Sequence, residues 1–291
     1  MKVIPDGLPP TLSGSVVVAD DGESAGRAAV AWASRHATGE VHVVRAVSPL
    51  VELFEASLEI DTNIALDSAR SEIDQLVADF GNGDITVVGH VVEDSSANAW
   101  MKVAGEVGAD TIVVGARVRR HGPIVDASIG TLLHRADQPV IVVPFDEQSD
   151  GVADGDGRIV VGASGDASAD ERLVAWAQAS GSDARIEVVH ALPHGVADVL
   201  HRRSGAADLE QAMRDELGAL VGSDGGASVS VVDGHALDAL VDVSAGASMV
   251  VVGSHHSSRL GGFLTGSIAQ HLPAIATCPV AIVPITAPSG R

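Results

Sequence analysis

Four segments of the first half of the chain recur in the same order in the second half. The first pair is SVVVADDGESAGRAAVAWA, ending at Ala33, and RIVVGASGDASADERLVAWA, ending at Ala177. The later pairs are VHVVRAVSP with IEVVHALPH, DTIVVGA with SMVVVGS, and QPVIVVP with CPVAIVP. A repeat of this length, covering nearly the whole chain, indicates a tandem duplication of one domain.

Within each copy, short and continuously apolar Val/Ile runs alternate with amphipathic segments. The spacing of Ile73, Leu76, Val77 and Phe80 predicts a helix, and weaker runs at 85–92 and 228–232 bring each half to about five strands. Buried strands alternating with helices predict an α/β fold with parallel sheets covered on both faces. We expect domains at 12–146 and 158–286, joined by an acidic, glycine-rich and solvated linker at 147–157.

The charge balance limits the classes of partner. The formal charge is −21, and only Lys2 and Lys102 among the 18 basic residues are lysines. Such a chain lacks the lysine-rich face that would neutralise phosphates, which argues against nucleic acid and anionic membranes as partners. No run is apolar enough to span a bilayer, and Cys278 is the single cysteine, so we expect a cytoplasmic protein.

The most suggestive loop follows the apolar run SMVVVGS, which begins at Ser248. Gly253 stands at a strand end, and Gly266-Ser267 stands at the start of the next predicted helix. In open parallel sheets such a place can receive an anion on backbone N–H groups, with the Ser267 hydroxyl as a further donor. The alternative is a tight strand-to-helix connection without a ligand. The loop is neither a Walker A motif nor the dinucleotide Gly-x-Gly-x-x-Gly.

The order of strand-Asp/Ser-Gly, an alanine-rich helix with Trp-Ala, Val-Val-Gly-Ser-His, Gly-Ser and Cys-Pro-Val-x-Ile-Val-Pro resembles the universal stress protein family. The resemblance covers nearly the whole chain as two copies. It implies two five-stranded parallel-sheet domains, of the adenine nucleotide α-hydrolase-like or flavodoxin-like type, arranged as a pseudo-dimer. ATP-binding members of the family carry an Asp after strand one and Gly-x2-Gly-x9-Gly-Ser/Thr after strand four.

Carried onto the second half, this motif assigns the phosphate positions to Gly253, Gly266 and Ser267. Its middle glycine is replaced by His256, and the strand-one acid is replaced by Ser164. The segment from Val161 to Ser164 would form the adenine wall. In the helix that follows, Pro273 removes a backbone hydrogen bond and is expected to kink or shorten that helix.

In the first half the losses are reversed. Asp21 keeps the strand-one acid, whereas Val118 replaces the second glycine and Asp126-Ala127 falls where Gly-Ser belongs. Shifting by one residue gives Ala127-Ser128, and Gly130-Thr131 comes too late. Asp21 can either cap the first helix or contact adenine, and the capping role is the preferred interpretation.

One basic cluster and one histidine pair are candidates for further sites. Arg117, Arg119, Arg120 and His121 form the densest basic cluster, which can hold a phosphate or an acidic partner or simply be a solvated loop. Adjacent histidines such as His255-His256 rarely converge on one ion, so no metal site is predicted.

Two functions follow from these patterns. The first is a stress-response protein that binds ATP or another adenine nucleotide weakly in its second domain. The second is a nucleotide-free interaction or scaffold protein in which both sites are degenerate. No nucleophile elbow is present and Cys278 lacks a local base, so an enzyme is not expected. Protein partners and a homodimer are compatible with both functions.

Overall fold

A computed structural model describes most of the chain, and contacts within it define two compact units. The described residues are 10–48, 62–81, 85–118, 125–147, 152, 155–181, 184–192, 206–221, 227–254 and 265–285. Those within 11–118 and 124–152 form the first unit, and those from 153 onward form the second.

The first unit alternates strands and helices. Its elements are β1 (Val16–Asp20), α1 (Ser24–His36), β2 (Val41–Val47), α2 (Thr62–Phe80), β3 (Val87–Glu93), α3 (Ser96–Val107), β4 (Thr111–Arg117), α4 (Ala127–Arg135) and β5 (Val140–Phe145). The strands are ordered β3-β2-β1-β4-β5, and each neighbouring pair is parallel.

The second unit repeats this plan. Its elements are β6 (Arg158–Ala163), α5 (Ala167–Ala179), β7 (Arg185–Leu192), α6 (Ala206–Val221), β8 (Ala227–Asp233), α7 (Ala236–Ser244), β9 (Met249–Ser254), α8 (Thr265–Ile275) and β10 (Val280–Pro284). The strand order β8-β7-β6-β9-β10 and the parallel pairing match those of the first unit. The predicted fold class, two five-stranded parallel α/β domains in tandem, is confirmed.

The cores are built from the apolar runs that predicted the strands. Residues 16–19 of β1 and 159–161 of β6 are buried on both faces of their sheets. The helical pattern of α2 is also confirmed, because Ile73 and Leu76 are buried against the sheet. In the first unit the sheet and α1 approach so closely that a Cβ on Gly115 would lie 1.9 Å from the Ala25 carbonyl oxygen. Glycine is therefore required there for packing.

Two local expectations differ from the structure. The end of the segment expected to be a solvated linker packs on the second domain, where the Gly157 N–H donates to Ser248 Oγ at 2.9 Å. Helix α8 continues past Pro273 and ends at Ile275, so the proline lies in its last turn. A proline near a helix end removes only one backbone hydrogen bond, because its ring nitrogen has no hydrogen to donate. Among the described helices, none combines the length and apolar character needed to cross a bilayer.

Candidate functional site

In the second domain the positions singled out by the sequence lie at the carboxyl edge of one sheet. Strands β6 and β9 are parallel neighbours, with Val161 opposite Val251. Ser164, which follows β6, and Gly253, near the end of β9, therefore reach the same edge. Helix α8 begins at Thr265, so Gly266 lies in its first turn, as does Ser267. His255 and His256 lie outside the described residues. This edge joins strand ends to a helix N-terminus, an arrangement that can receive an anion.

The loop between β6 and α5 is held by a carboxylate from the helix. Asp170, in the first turn of α5, accepts hydrogen bonds from the Ser164 N–H (2.8 Å), the Ser164 hydroxyl (3.0 Å) and the Gly165 N–H (2.9 Å). Gly165 has φ +87°, in the left-handed region that glycine adopts without strain. The Ser164 hydroxyl also accepts from the Asp166 N–H at 3.2 Å. The serine predicted to face a ligand is thus part of an internal network.

The neighbouring strand β7 places a histidine beside the end of β6. His190 of β7 is the register partner of Ala163, the last residue of β6. Its Nδ1 lies 3.0 Å from the Ala163 carbonyl oxygen, and in this contact the imidazole must donate. A Cβ on Gly165 would lie 3.3 Å from the imidazole Cε1, so the ring packs against the loop. Val161, predicted to form part of the adenine wall, is fully buried within β6.

The first domain carries an ion pair at the same register position. Asp20, the last residue of β1, is the partner of Arg45 of β2. Arg45 Nε donates to Asp20 Oδ2 at 2.7 Å, and a terminal guanidinium nitrogen contacts the same oxygen. The Asp20 side chain is 2% exposed and that of Arg45 is 12% exposed. Arg45 also donates to Glu72 Oε2 of α2 at 2.8 Å, so it bridges two carboxylates.

Burial dominates the electrostatics of this pair. It raises the pKa of Asp20, and the opposing attraction and hydrogen bonding of Arg45 do not fully offset it. The hydrogen bond from Arg45 lowers the pKa of Glu72, which is 53% exposed. The Arg45 guanidinium also covers the next loop, because a Cβ on Gly22 would lie 3.1 Å from Nη1. The strand-one edge of the first domain is therefore filled by charged side chains.

Asp21 does not have the predicted capping role. The N-cap of α1 is Glu23, and its own side chain makes no capping hydrogen bond. The exposed Asp21 instead accepts from the Glu23 N–H at 2.9 Å within the loop. The expectation of a capping Asp21 is wrong because the N-cap lies two residues further along the chain, at Glu23.

In the described part of the loop between β4 and α4 of the first domain, few groups are placed to bind a phosphate. Helix α4 starts at Ala127, so Asp126 is its N-cap and Ser128 lies in its first turn, while Thr131 Oγ1 donates back to the Ala127 carbonyl. Arg117 pairs with Glu23 (2.7 Å) and Glu147 (3.2 Å), as a structural surface arginine does. The rest of the predicted basic cluster lies outside the described residues: Arg119, Arg120 and His121.

Other candidate chemistry is absent from the part of the chain that the structure describes. No group of three or more His, Cys, Asp or Glu side chains in that part is placed to hold a metal ion. Cys278 is buried, and burial raises the pKa of its thiol to about 12. Such a thiol is a packing residue and not a nucleophile at neutral pH.

Sequence reasoning missed Asp20, Arg45, Asp170 and His190. One signal was present, because Arg45 and His190 occupy the same place in the paired segments VHVVRAVSP and IEVVHALPH. Their partners could not be found from the segments alone, since each contact joins side chains or backbone groups of different elements.

Each unit is a doubly wound parallel α/β domain with a glycine-containing strand-to-helix loop at its carboxyl edge, a class in which ligands bind at that edge. A family model described as the universal stress protein family matches residues 14–144 and 157–284. The chain therefore belongs to the universal stress protein family, with two copies of its domain in tandem, and is a stress-response protein of that class.

Solved structures agree on the fold. The chain is similar to a universal stress protein from Archaeoglobus fulgidus DSM 4304, with a TM-score of 0.64 and 14% identity over 94% of this chain and 98% of that one. It is also similar to a candidate universal stress protein from Pseudomonas aeruginosa UCBPP-PA14, with a TM-score of 0.54 and 15% identity over 93% of this chain and 92% of that one. At these identities the likeness shows the fold alone. A comparison with curated protein sequences gave no significant match.

Proposed function

We propose that this protein binds ATP or another adenine nucleotide weakly, in its second domain only. The observation that carries the proposal is a difference between the two domains in the residue pair at the ends of their first two strands. The first domain has Asp20 and Arg45 there, whereas the second has Ala163 and His190. An ion pair that fills the strand ends competes with a nucleoside for space. The second edge has no such ion pair, because Ala163 is small, the His190 ring is bonded to the backbone and the Asp170 carboxylate is bonded to the loop.

The phosphate end of the ligand would lie at Gly253, Gly266 and Ser267. The first N–H groups of α8 have no partner within the helix itself, and this end carries the positive pole of the helix dipole. The nucleoside end would lie at the Ser164 loop, with Val161 behind it in the sheet. Asp21, at the matching place in the first domain, is bound to its own loop and is not part of this site.

The lack of a strand-end carboxylate favours weak binding, and it also motivates the alternative of a nucleotide-free scaffold. The hydrogen of the Ser164 hydroxyl is already donated to Asp170. A ligand therefore gains fewer hydrogen bonds here than a free aspartate would offer. If the total is too small, both domains serve only to present surfaces to protein partners.

The test is titration of the full chain with Mg-ATP by calorimetry, with native mass spectrometry of freshly purified protein to detect retained nucleotide. A ligand at about 100 times its Kd stabilises the native state by about 2.7 kcal/mol, so a melting shift must accompany binding. Absence of both retained nucleotide and a melting shift would refute the proposed nucleotide binding and favour the scaffold alternative.

A matched pair of variants locates the site. Gly266→Leu places a bulky side chain in the first turn of α8 and is expected to abolish binding. Gly130→Leu makes the same change in α4 of the first domain, where a Cβ meets nothing within 4 Å, and is expected to leave binding unchanged. Equal loss in both variants, or in neither, contradicts the assignment to the second domain.

A further inference from the structure

In both domains a carboxylate binds the loop that follows the first strand, β1 or β6, but it approaches that loop from opposite sides. In the second domain the carboxylate belongs to Asp170 of helix α5, a residue that is only 1% exposed. In the first domain it comes from the strand end, where Asp20 Oδ1 accepts from the Gly22 N–H (3.3 Å) and Asp21 Oδ1 from the Glu23 N–H (2.9 Å).

The two arrangements exclude one another sterically. The first turn of α1 carries Gly26, and a Cβ there would lie 2.6 Å from Asp20 Oδ1 and 2.7 Å from Asp21 Oδ1. The first domain thus has strand-end carboxylates and no side chain on the facing helix residue. The second has Ala163 and Ser164 at the strand end, and the helix side chain reaches the loop instead.

We infer that Asp170 is the positioning residue of the second-domain site, which it serves through Ser164. This inference rests on the nucleotide binding proposed above. Asp170 takes the hydroxyl hydrogen of Ser164, and the Asp166 N–H occupies one lone pair of the same oxygen. What Ser164 presents to a ligand is therefore one remaining lone pair. The ligand group at this position must be a hydrogen-bond donor, such as a ribose hydroxyl or an amino group of the base.

A carboxylate is the only side chain of this size that satisfies all three donors. Its two oxygens accept without contributing a hydrogen, and its negative charge is favoured in the first turn of a helix. Asparagine at 170 would turn an NH₂ group toward one of the loop N–H groups. The loop would then lose at least one bond, and the Ser164 hydroxyl would be free to rotate.

The experiment is a double-mutant cycle on nucleotide affinity in the full chain, read by calorimetry with Mg-ATP. The variants are Asp170→Asn, Ser164→Ala and the pair combined. Asp238→Asn, an exposed aspartate in the first turn of α7, is the matched control. We expect Asp170→Asn to raise Kd by at least about tenfold, the equivalent of one or two lost hydrogen bonds. Asp238→Asn should leave Kd unchanged.

The double-mutant cycle distinguishes a role of Asp170 in positioning Ser164 from a role in stabilising the fold alone. If Asp170 acts through Ser164, Asp170→Asn adds little further loss of affinity when Ser164 is already alanine. Additive losses, or an unchanged Kd in Asp170→Asn, overturn the inference. If Asp170→Asn does not fold, Ser164→Ala alone decides, because wild-type affinity in that variant refutes a role for the hydroxyl. A wild-type chain that binds no nucleotide refutes the proposed function, and the inference falls with it. A wild type that binds while the variants behave as wild type refutes the inference alone.

Discussion

Replacing Arg45 with methionine should strongly destabilise the first domain. Asp20 would remain buried at 2% exposure with one protein hydrogen bond, from the Gly22 N–H at 3.3 Å. Breaking a buried ion pair by removing one partner costs about 3 to 5 kcal/mol. The second contact of Arg45, to the half-exposed Glu72, adds no more than about 1 kcal/mol, since surface ion pairs contribute little. The main loss is therefore the uncompensated charge of Asp20.

The pH dependence of this variant tests the cause. Burial already raises the pKa of Asp20 when Arg45 is present, and removing the cation must raise it further. A carboxyl group whose folded pKa exceeds its unfolded pKa binds a proton on folding, so its stability contribution is lost as pH rises. Between pH 7 and pH 5 the unfolding free energy of the Arg45→Met variant should recover by up to about 2.7 kcal/mol relative to wild type.

The assay is urea unfolding followed by tryptophan fluorescence in a Trp176→Phe background. The remaining tryptophans, Trp32 and Trp100, are both buried in the first domain and report on it alone. The control is Glu72→Gln, which should cost under about 1 kcal/mol.

A double variant completes the cycle. Asp20→Ala combined with Arg45→Met removes both charges and should be more stable than Arg45→Met alone, because no unpaired charge is left buried. The reasoning is refuted if Arg45→Met costs less than about 1 kcal/mol, if its deficit is the same at pH 5 and pH 7, or if the double variant is the less stable of the two.

Other perturbations have equally definite outcomes. Gly115→Val forces a Cβ to 1.9 Å from the Ala25 carbonyl oxygen and should cost several kcal/mol in urea unfolding, whereas Gly105→Ala, in open space within α3, should stabilise by about 1 kcal/mol. Burial, assisted by the neighbouring His42, lowers the pKa of His90. The unfolding free energy should therefore fall as pH drops below about 6.5 and level off below the folded pKa. A flat pH profile in wild type, with no difference from His90→Gln, would contradict this. Cys278 should react with a thiol reagent only after unfolding, since burial raises its pKa to about 12; rapid labelling of the native protein would show that the thiol is accessible.

Most of the architecture could be predicted because it depends on local patterns. The apolar runs that predicted β1 and β6 are buried on both faces. A continuous apolar run and a period of 3.6 residues can each be recognised within a single segment of sequence. Even the weak runs at 85–92 and 228–232 correspond to β3 and β8. Duplication helped, because a segment that is ambiguous in one half has a clearer copy in the other.

The candidate site was harder to predict because its decisive contacts join distant parts of the chain. Asp20 and Arg45 meet only when β1 and β2 pair in one register, and a shift of one residue would separate them. Asp170 was overlooked for a different reason. In sequence it is an ordinary acidic residue at the start of a helix, and only its burial and its three donors distinguish it from a solvated one.

The contrast between the two register pairs at the strand ends also predicts the number of nucleotides that one chain binds under the proposed function. A buried ion pair is weak evidence for stability, because apolar residues of similar volume often match or exceed it. Asp20 and Arg45 occupy the strand-one edge of the first domain with an ion pair. The second domain has Ala163 and His190 at the matching register pair, and its carboxylate, Asp170, comes from the helix and is bonded to the loop. Under the proposed function, one chain is expected to bind one nucleotide and not two. The stoichiometry of a calorimetric titration therefore tests the asymmetry directly, independently of how weak the affinity is.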